Sequence, residues 1–324
     1  MNKRLNKEEF IELIKSIDLD KEDFVILSSG ALLMRGIMDS AGDLDIAVTK
    51  KGFEKLNNKF DLESKGNGFY KVNDQVECII DSKKNSRELV GNYYVQDIYA
   101  YFSYLKTSKR EKDKLRIPLV LDYIKNSVKY KSIEEQSKII IKILKQNKDL
   151  MKVLNYIEKL RLPNFYIAAG SIFQTIWNFL DNKPLNDSIK DIDIIYYNQE
   201  DLSKEKDLEI YNKVKKYCEK NNLSYDIDVS NEARMHLWKE EVEHKKIKPY
   251  LNSEDAINRW IATTHAIGIT KNNRNIYIYA PYGLSDIFSK TIRPIKHEGN
   301  NKELYDKKVK SWTSRFDNLN VVEW

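Results

Sequence analysis

The sequence predicts an α/β (α+β) fold laid down twice in tandem, each copy a small mixed sheet flanked by helices, with a helical segment between the two. Three observations carry that expectation. The apolar run Phe24-Val25-Ile26-Leu27 ends in Ser28-Ser29-Gly30 before a helix, and Phe165-Tyr166-Ile167-Ala168-Ala169 ends in Gly170-Ser171 in the same way. Each is followed by a strand in which acidic and apolar residues alternate, Asp43-Leu44-Asp45-Ile46-Ala47-Val48 and Asp191-Ile192-Asp193-Ile194-Ile195-Tyr196. Each copy then adds a second acid-bearing strand, Gln75 to Asp81 and Tyr225 to Val229.

The 324 residues suit two domains of roughly 150 residues each, placed at 1–130 and 131–324. In the first, an amphipathic helix is expected over 7–16, a helix over Ala31 to Ile37, another over 52–60, and a hairpin turning at Asn73-Asp74. From about 95 to 160 the pattern is helix after helix, with Ile139, Ile140, Ile143 and Leu144 at helical spacing within Ile133 to Gln146. The second copy continues with helices over Ile172 to Leu180, 203–220 and 253–261 and a hairpin around Lys271-Asn272-Asn273-Arg274. A Pro281-Tyr282-Gly283 turn and a helix over 301–316 complete it, as a lid or an extension of the sheet.

Bulk properties narrow the function classes. With 41% hydrophobic and 32% charged residues the composition is that of a soluble globular chain, not a disordered or membrane one. No stretch approaches the ~18 apolar residues of a membrane span, and Met1 to Lys7 has no apolar signal core, so a cytoplasmic protein is expected. Cys78 and Cys218 are too few for a disulfide framework or a zinc site and read as buried apolar groups. The net charge of +6 is compatible with a phosphate-bearing ligand and short of a nucleic-acid-binding signature. Heavy use of Lys, Asn, Ile and Tyr has the character of an AT-rich bacterial genome.

Phosphoryl transfer asks the protein mainly for positioned phosphates and divalent metal. Asp191 and Asp193, two apart on a strand, share a face and can hold a pair of Mg²⁺ (or Mn²⁺) ions, with Asp228 as third carboxylate and Asp226 as its fallback. Gly170 lets the backbone approach, Ser171 offers a hydroxyl, and free helix N–H groups suit the β and γ phosphates of a nucleoside triphosphate (NTP). The first copy offers Ser29 and Gly30 to bind the nucleotide, Asp43 and Asp45 as metal ligands, and Glu77 or Asp81 as the third acid. Its departure is at Ser28, where the pattern prefers Gly; the first copy can therefore keep the fold and lose the reaction. Asp-x-Asp alone is commonly the solvated face of an edge strand, and Gly-Ser alone a turn. Their ordered recurrence is what points to chemistry.

These residues resemble the nucleotidyltransferase superfamily that includes DNA polymerase beta and the aminoglycoside nucleotidyltransferases, whose signature is Gly-Ser, then Asp-x-Asp, then a later acid. Residues from about 133 to 324 resemble a bacterial nucleotidyltransferase-like family through Leu162 to Gly170, Lys190 to Asp193, Asn231 to Trp238, Pro249-Tyr250 and Ala280 to Leu284. The first copy is similar to a second set of such domains through Ser29-Gly30, Arg35-Gly36-Ile37, Asp43-Leu44-Asp45 and Arg110 to Lys114. The resemblance implies transfer of a nucleoside monophosphate from an NTP to a hydroxyl acceptor by two metal ions, with pyrophosphate leaving. The acceptor, a small molecule, an RNA end or a protein, stays open, as does a catalytically silent nucleotide-binding or antitoxin-like regulatory module. Within Asn231 to Trp238, Arg234 is expected to steady triphosphate charge or to pair with a structural carboxylate, and His236 to meet acceptor or base or to be a core histidine. Trp260, Trp312 and Trp324 read as packing residues, and the basic stretch Lys106 to Arg116 as a solvated helix face or a phosphate contact.

Overall fold

The computed structural model describes residues 4–81, 86–128, 131–244, 246–297 and 299–324. Asp81 is the last described residue before the first internal gap, so the strand expected to reach it is seen to Ile80. The chain divides into two compact units, Met1–Ile124 and Lys125–Trp324.

In the first unit, α1 (Lys7–Ser16) opens with a reciprocal Asn6/Glu9 capping box that satisfies two otherwise orphaned N–H groups. β1 (Phe24–Ile26) runs into α2 (Ser28–Met34), three residues earlier than expected, and Gly36 at φ 72° turns the chain out of the helix. β2 (Leu44–Val48), α3 (Lys50–Lys59), β3 (Glu63–Ser64), β4 (Phe69–Asn73) and β5 (Val76–Ile80) follow. A hairpin that the periodicity does not announce, β6 (Arg87–Val90) and β7 (Tyr93–Gln96), turns at Gly91 with φ 59°. The sheet order is β3-β4-β5-β2-β1-β7-β6. Then come α4 (Ile98–Thr107), the single turn α5 (Glu111–Lys114) and α6 (Arg116–Val128), within which the division of the chain falls.

The second unit begins with α7 (Ile133–Leu144) and α8 (Lys148–Leu160). Buried Asn147 caps α8 by accepting from Leu150 N–H at 3.1 Å and donates to Thr175 Oγ1 at 3.1 Å. A cap of this kind contributes about 1 kcal/mol, and here it also ties α8 to the next helix. β8 (Tyr166–Ala168) leads into α9 (Gly170–Leu180), every residue of which is buried. A helix buried on every side lies in the core, and two of its polar side chains find acceptors there: Thr175 Oγ1 donates to Ser171 O at 2.7 Å and Asn178 Nδ2 to Asp187 O at 2.7 Å. β9 (Asp191–Tyr196), α10 (Lys204–Lys220), β10 (Asp226–Asn231), α11 (Met235–Val242) and α12 (Ser253–Asn258) continue the chain. Next are the hairpin β11 (Gly268–Asn272) and β12 (Asn275–Tyr279), α13 (Ser285–Phe288), β13 (Thr291–Ile292), α14 (Lys302–Thr313) and β14 (Asn320–Val321). The main sheet is ordered β10-β9-β8-β11-β12.

Both units are thus mixed α/β with helices on the sheets, and three strands recur. In each, the first strand is antiparallel to the Asp-x-Asp strand, which is parallel to the next acidic strand: β1-β2-β5 and β8-β9-β10. The expected sheet extension is β11–β12, while α14 lies against α9 through Trp312, which meets Phe173 edge-on at 5.5 Å. No helix among the described residues is long and apolar enough to cross a membrane. Cys78 and Cys218 are buried and free, as expected.

Trp177 anchors this core: it is fully buried, meets Phe173 at 4.7 Å and Phe316 at 5.4 Å, and donates its indole N–H to Ile287 O at 3.1 Å. Trp177→Ala is expected to cost about 3–5 kcal/mol, measured as the shift in urea unfolding free energy of the full chain.

Candidate active site

Register places the carboxylates of the second unit. β10 runs parallel to β9 with Asp228 opposite Asp193 and Asp226 opposite Asp191. Asp191, Asp193 and Asp228 line one cavity of about 270 Å³, and Asp226 does not. The floor of that cavity is Ala169-Gly170 at the start of α9. Ala169 holds φ 52°, ψ −120°, a region that residues with a Cβ seldom enter and that costs of order 1–3 kcal/mol. It is pinned there by donating its N–H to Ile267 O at 2.8 Å. The distortion turns the backbone so that the Gly170 N–H reaches the Asp193 carboxylate.

Burial, reinforced by Asp191 and then Asp228, raises the Asp193 carboxyl to about 7, against the opposing pull of Lys308. Burial and Asp191 likewise raise Asp228. Among the described residues none of the three forms a close ion pair, and Lys308 acts on Asp193 and Asp228 from across the cavity. A fourth acid, Glu232, is 4% exposed at the end of β10 and lines the same cavity. Burial lifts its carboxyl to about 8, with Asp228, Asp207 and Asp193 adding to the effect. The opposite wall is α14 and the turn after it, which bring Lys308, Ser311, Trp312 and Arg315. Arg315 is held by Ser188 O at 2.7 Å, Ser311 O at 3.0 Å and Gln174 Oε1 at 3.3 Å. His265 completes the wall; burial and then Lys308 push it down to about 3, so it stands as neutral imidazole.

Four of the expected contacts are not made. Ser171 is 1% exposed and turns inward, its hydroxyl 3.5 Å from Ala168 O, so the helix start offers Gly170 and backbone but not this hydroxyl. Gly30, its counterpart, is buried away from the cavity; a Cβ there would stand 2.5 Å from the Phe10 ring, so close packing is what requires glycine. Arg234 is drawn to Asp207 at 3.5 Å and Leu202 O at 3.0 Å and lines a separate cavity beside β10, the structural alternative stated for it. Asp207 also accepts from Tyr196 OH at 2.7 Å, which fixes that pair. His236 lines none of these cavities, and its Nδ1 is buried without a partner. Trp312 packs against the core, 5.6 Å from His265, and like Trp260 also borders the cavity, whereas Trp324 lies 5.8 Å from Tyr305.

The first unit repeats the arrangement with different charges. Asp45 stands opposite Glu77 on parallel β2 and β5, and burial, then Asp43 and Glu77, raise Asp45 to about 6. Glu77 forms an ion pair with Lys65, which neutralises the third acid. Asp43, Asp45, Ser28 and Ser29 border a cavity of about 740 Å³ whose other walls carry Arg4, Arg110, Lys112 and Arg116. The Lys106 to Arg116 stretch therefore reaches this cavity, with Arg110 and Arg116 set 2.7 and 3.3 Å from buried Asp113. Register also corrects the correspondence between the copies. Leu27 N donates to Asp45 O as Ala168 pairs with Asp193, so Ser28, at φ 51°, matches Ala169, and the missing glycine is at Ser29.

Linkage fixes a sign for Asp193. Its folded value of about 7 exceeds the ordinary 3.8, so stability falls as pH rises between them. Asp193→Asn is expected to stabilise the ligand-free chain by on the order of 1 kcal/mol at about pH 8, with the gain vanishing near pH 4 in parallel thermal melts.

The family described as Nucleotidyltransferase matches residues 155–321, the whole of β8, β9 and β10 with the cavity they frame. A solved structure titled "The NMR structure of the protein reveals a CCA-adding enzyme head domain" is 29% identical, covering 62% of this chain and 100% of that chain, with a TM-score of 0.48. No curated protein matches. With its strand register, glycine-started helix and matched segment spanning more than half its length, this chain belongs to the nucleotidyltransferase family.

Proposed function

We propose that the second unit transfers a nucleoside monophosphate from an NTP to a hydroxyl acceptor, releasing pyrophosphate, and that Asp191, Asp193 and Asp228 are its metal-binding acids. The observation that carries this reading is the set of unpaired carboxylates around the start of α9, with Lys308 and Arg315 facing them. Among the described residues no three or more His, Cys, Asp or Glu side chains make a ready-made ion cage. Mg²⁺ commonly keeps water and takes one or two protein carboxylates together with substrate phosphates. Bound there, Mg²⁺ or Mn²⁺ supplies charge neutralisation at the attacking and leaving oxygens. Gly170 and the α9 N-terminus then receive phosphate oxygens, and Lys308 and Arg315 offset the charge of the departing pyrophosphate.

The first unit serves as a binding unit in this reading. Lys65 occupies the third acid and Ser29 stands where the second unit has glycine, while four basic residues leave its cavity suited to a polyanion. The full chain with Mg²⁺, NTPs and a panel of hydroxyl acceptors is expected to release pyrophosphate. The paired change Asp191→Asn with Asp193→Asn should lower turnover at least about 100-fold, as loss of transition-state charge stabilisation does. Asp43→Asn with Asp45→Asn should change KM more than kcat. Equal loss of kcat from both pairs would contradict the assignment.

A further inference from the structure

The two units differ most beyond their third acidic strand. In the second, β10 ends the main sheet, and no strand among the described residues lies outside it. In the first, β5 is followed outward by antiparallel β4 and β3. These added strands carry a cation to the acids. Cross-strand partners share a face of a sheet, so Glu63, Lys71, Glu77 and Asp45, paired in turn, lie on one face. Lys65, two residues beyond Glu63, is on that face too. Gly66 and Gly68, at φ 77° and 88°, let the chain turn tightly there, and the Lys65 N–H closes the turn on Phe69 O at 2.9 Å. The Lys65 ammonium forms an ion pair with Glu77 and stands within the field of Asp45 and Asp43. A second ammonium, Lys112 of α5, lines the same cavity, acts on Asp45 and forms no ion pair among the described residues. A divalent cation fits poorly in such a place. Two ammonium groups among three carboxylates leave little charge to hold it, and both repel it.

We propose that the first unit holds a phosphate-bearing ligand without a divalent cation, Lys65 and Lys112 supplying at Glu77 and Asp45 the positive charge that metal supplies in the second unit. The inference rests on the reading of the first unit as a binding unit. Room for the ligand is the space of about 740 Å³ beside Ser28 and Ser29, which lies within the ~300–1,000 Å³ of a site enclosing a whole small molecule. Lys112 lines this space as well, and the arginines that complete it keep charge for a phosphate. Arg110 and Arg116 share a single buried acid, Asp113, and Arg4 is held by uncharged Ser40, through Oγ at 2.9 Å and O at 2.7 Å. Guanidinium and ammonium donors make charge-assisted hydrogen bonds to phosphate oxygens, so binding of this kind needs no metal bridge.

Two measurements on the full chain test this. The first is Mn²⁺ titration followed by electron paramagnetic resonance, with and without inorganic triphosphate. The chain carrying Asp191→Asn with Asp193→Asn is expected to show no tight Mn²⁺ site, and adding Lys65→Met should create one by freeing Glu77. Lys65 is exposed, and a gained site is not something misfolding produces. The second is calorimetry with EDTA in place of metal. Inorganic triphosphate should bind the unaltered chain, and Lys112→Ala should weaken that binding about tenfold, as loss of a charge-assisted hydrogen bond does. The same loss should not follow from Lys308→Ala in the second unit. No Mn²⁺ site gained with Lys65→Met, or triphosphate binding in EDTA that is absent or indifferent to Lys112→Ala, overturns the inference and leaves the transfer reading standing. A tight Mn²⁺ site already present before the Lys65 change overturns both. Absence of Mn²⁺ binding by the unaltered chain with triphosphate present overturns the transfer reading alone.

Discussion

The structure of the second unit turns on one pairing: β10 against β9, parallel, with Asp228 beside Asp193. A slip of one residue would turn the alternate acids to the other face, since strand side chains repeat every two residues. In the observed register, three acids meet at one cavity with Glu232 close by, and no described cation pairs with the first three. Burial, with the neighbouring acids adding to it, raises Asp193 to about 7 and Glu232 to about 8. The ligand-free fold bears that cost, and in the proposed reading a cation bound with phosphate would remove it.

The rest of the unit holds the pairing rigid. α9 is buried along its whole length, tied by Asn147 to α8 and by Trp177 to α13. Its first turn cannot shift without moving those contacts, so Ala169 stays in its strained conformation and the Gly170 N–H stays on Asp193. α14 contributes the opposite wall while its Trp312 packs into the same core, so the cationic side of the cavity is positioned by packing as well.

Much of this was legible in the sequence, for physical reasons. Alternation in Asp191–Tyr196 fixes the face of its acids, and an apolar run ending at Gly170 fixes where the helix begins. What periodicity cannot give is the direction of a residue on a helix buried on every side. Ser171 and Gly30 are adjacent to the cavity in sequence and face the core instead. Arg234 was open between two partners, and the choice of Asp207 depends on α10, which is distant in sequence. Lys308, Arg315 and His265 carry no local signal, because α14 and the segment before β11 reach the cavity only by tertiary packing. Glu232 lay within the segment Asn231 to Trp238 that carries the family resemblance, and only its enclosure distinguishes it.

The two units show how little alters such a site. The three-strand frame is common to both, but Lys65 on Glu77 and Ser29 in place of glycine change what the first can hold. The central claim is that the second unit's carboxylates hold a divalent cation jointly with a triphosphate. Electron paramagnetic resonance of Mn²⁺ titrated with the full chain, with and without a non-hydrolysable NTP, tests it most directly. The account predicts weak Mn²⁺ binding alone, tight binding when the triphosphate is present, and loss of the tight component in Asp191→Asn with Asp193→Asn but not in Asp43→Asn with Asp45→Asn. Tight binding that survives the Asp191/Asp193 change, or none with the triphosphate present, would contradict it.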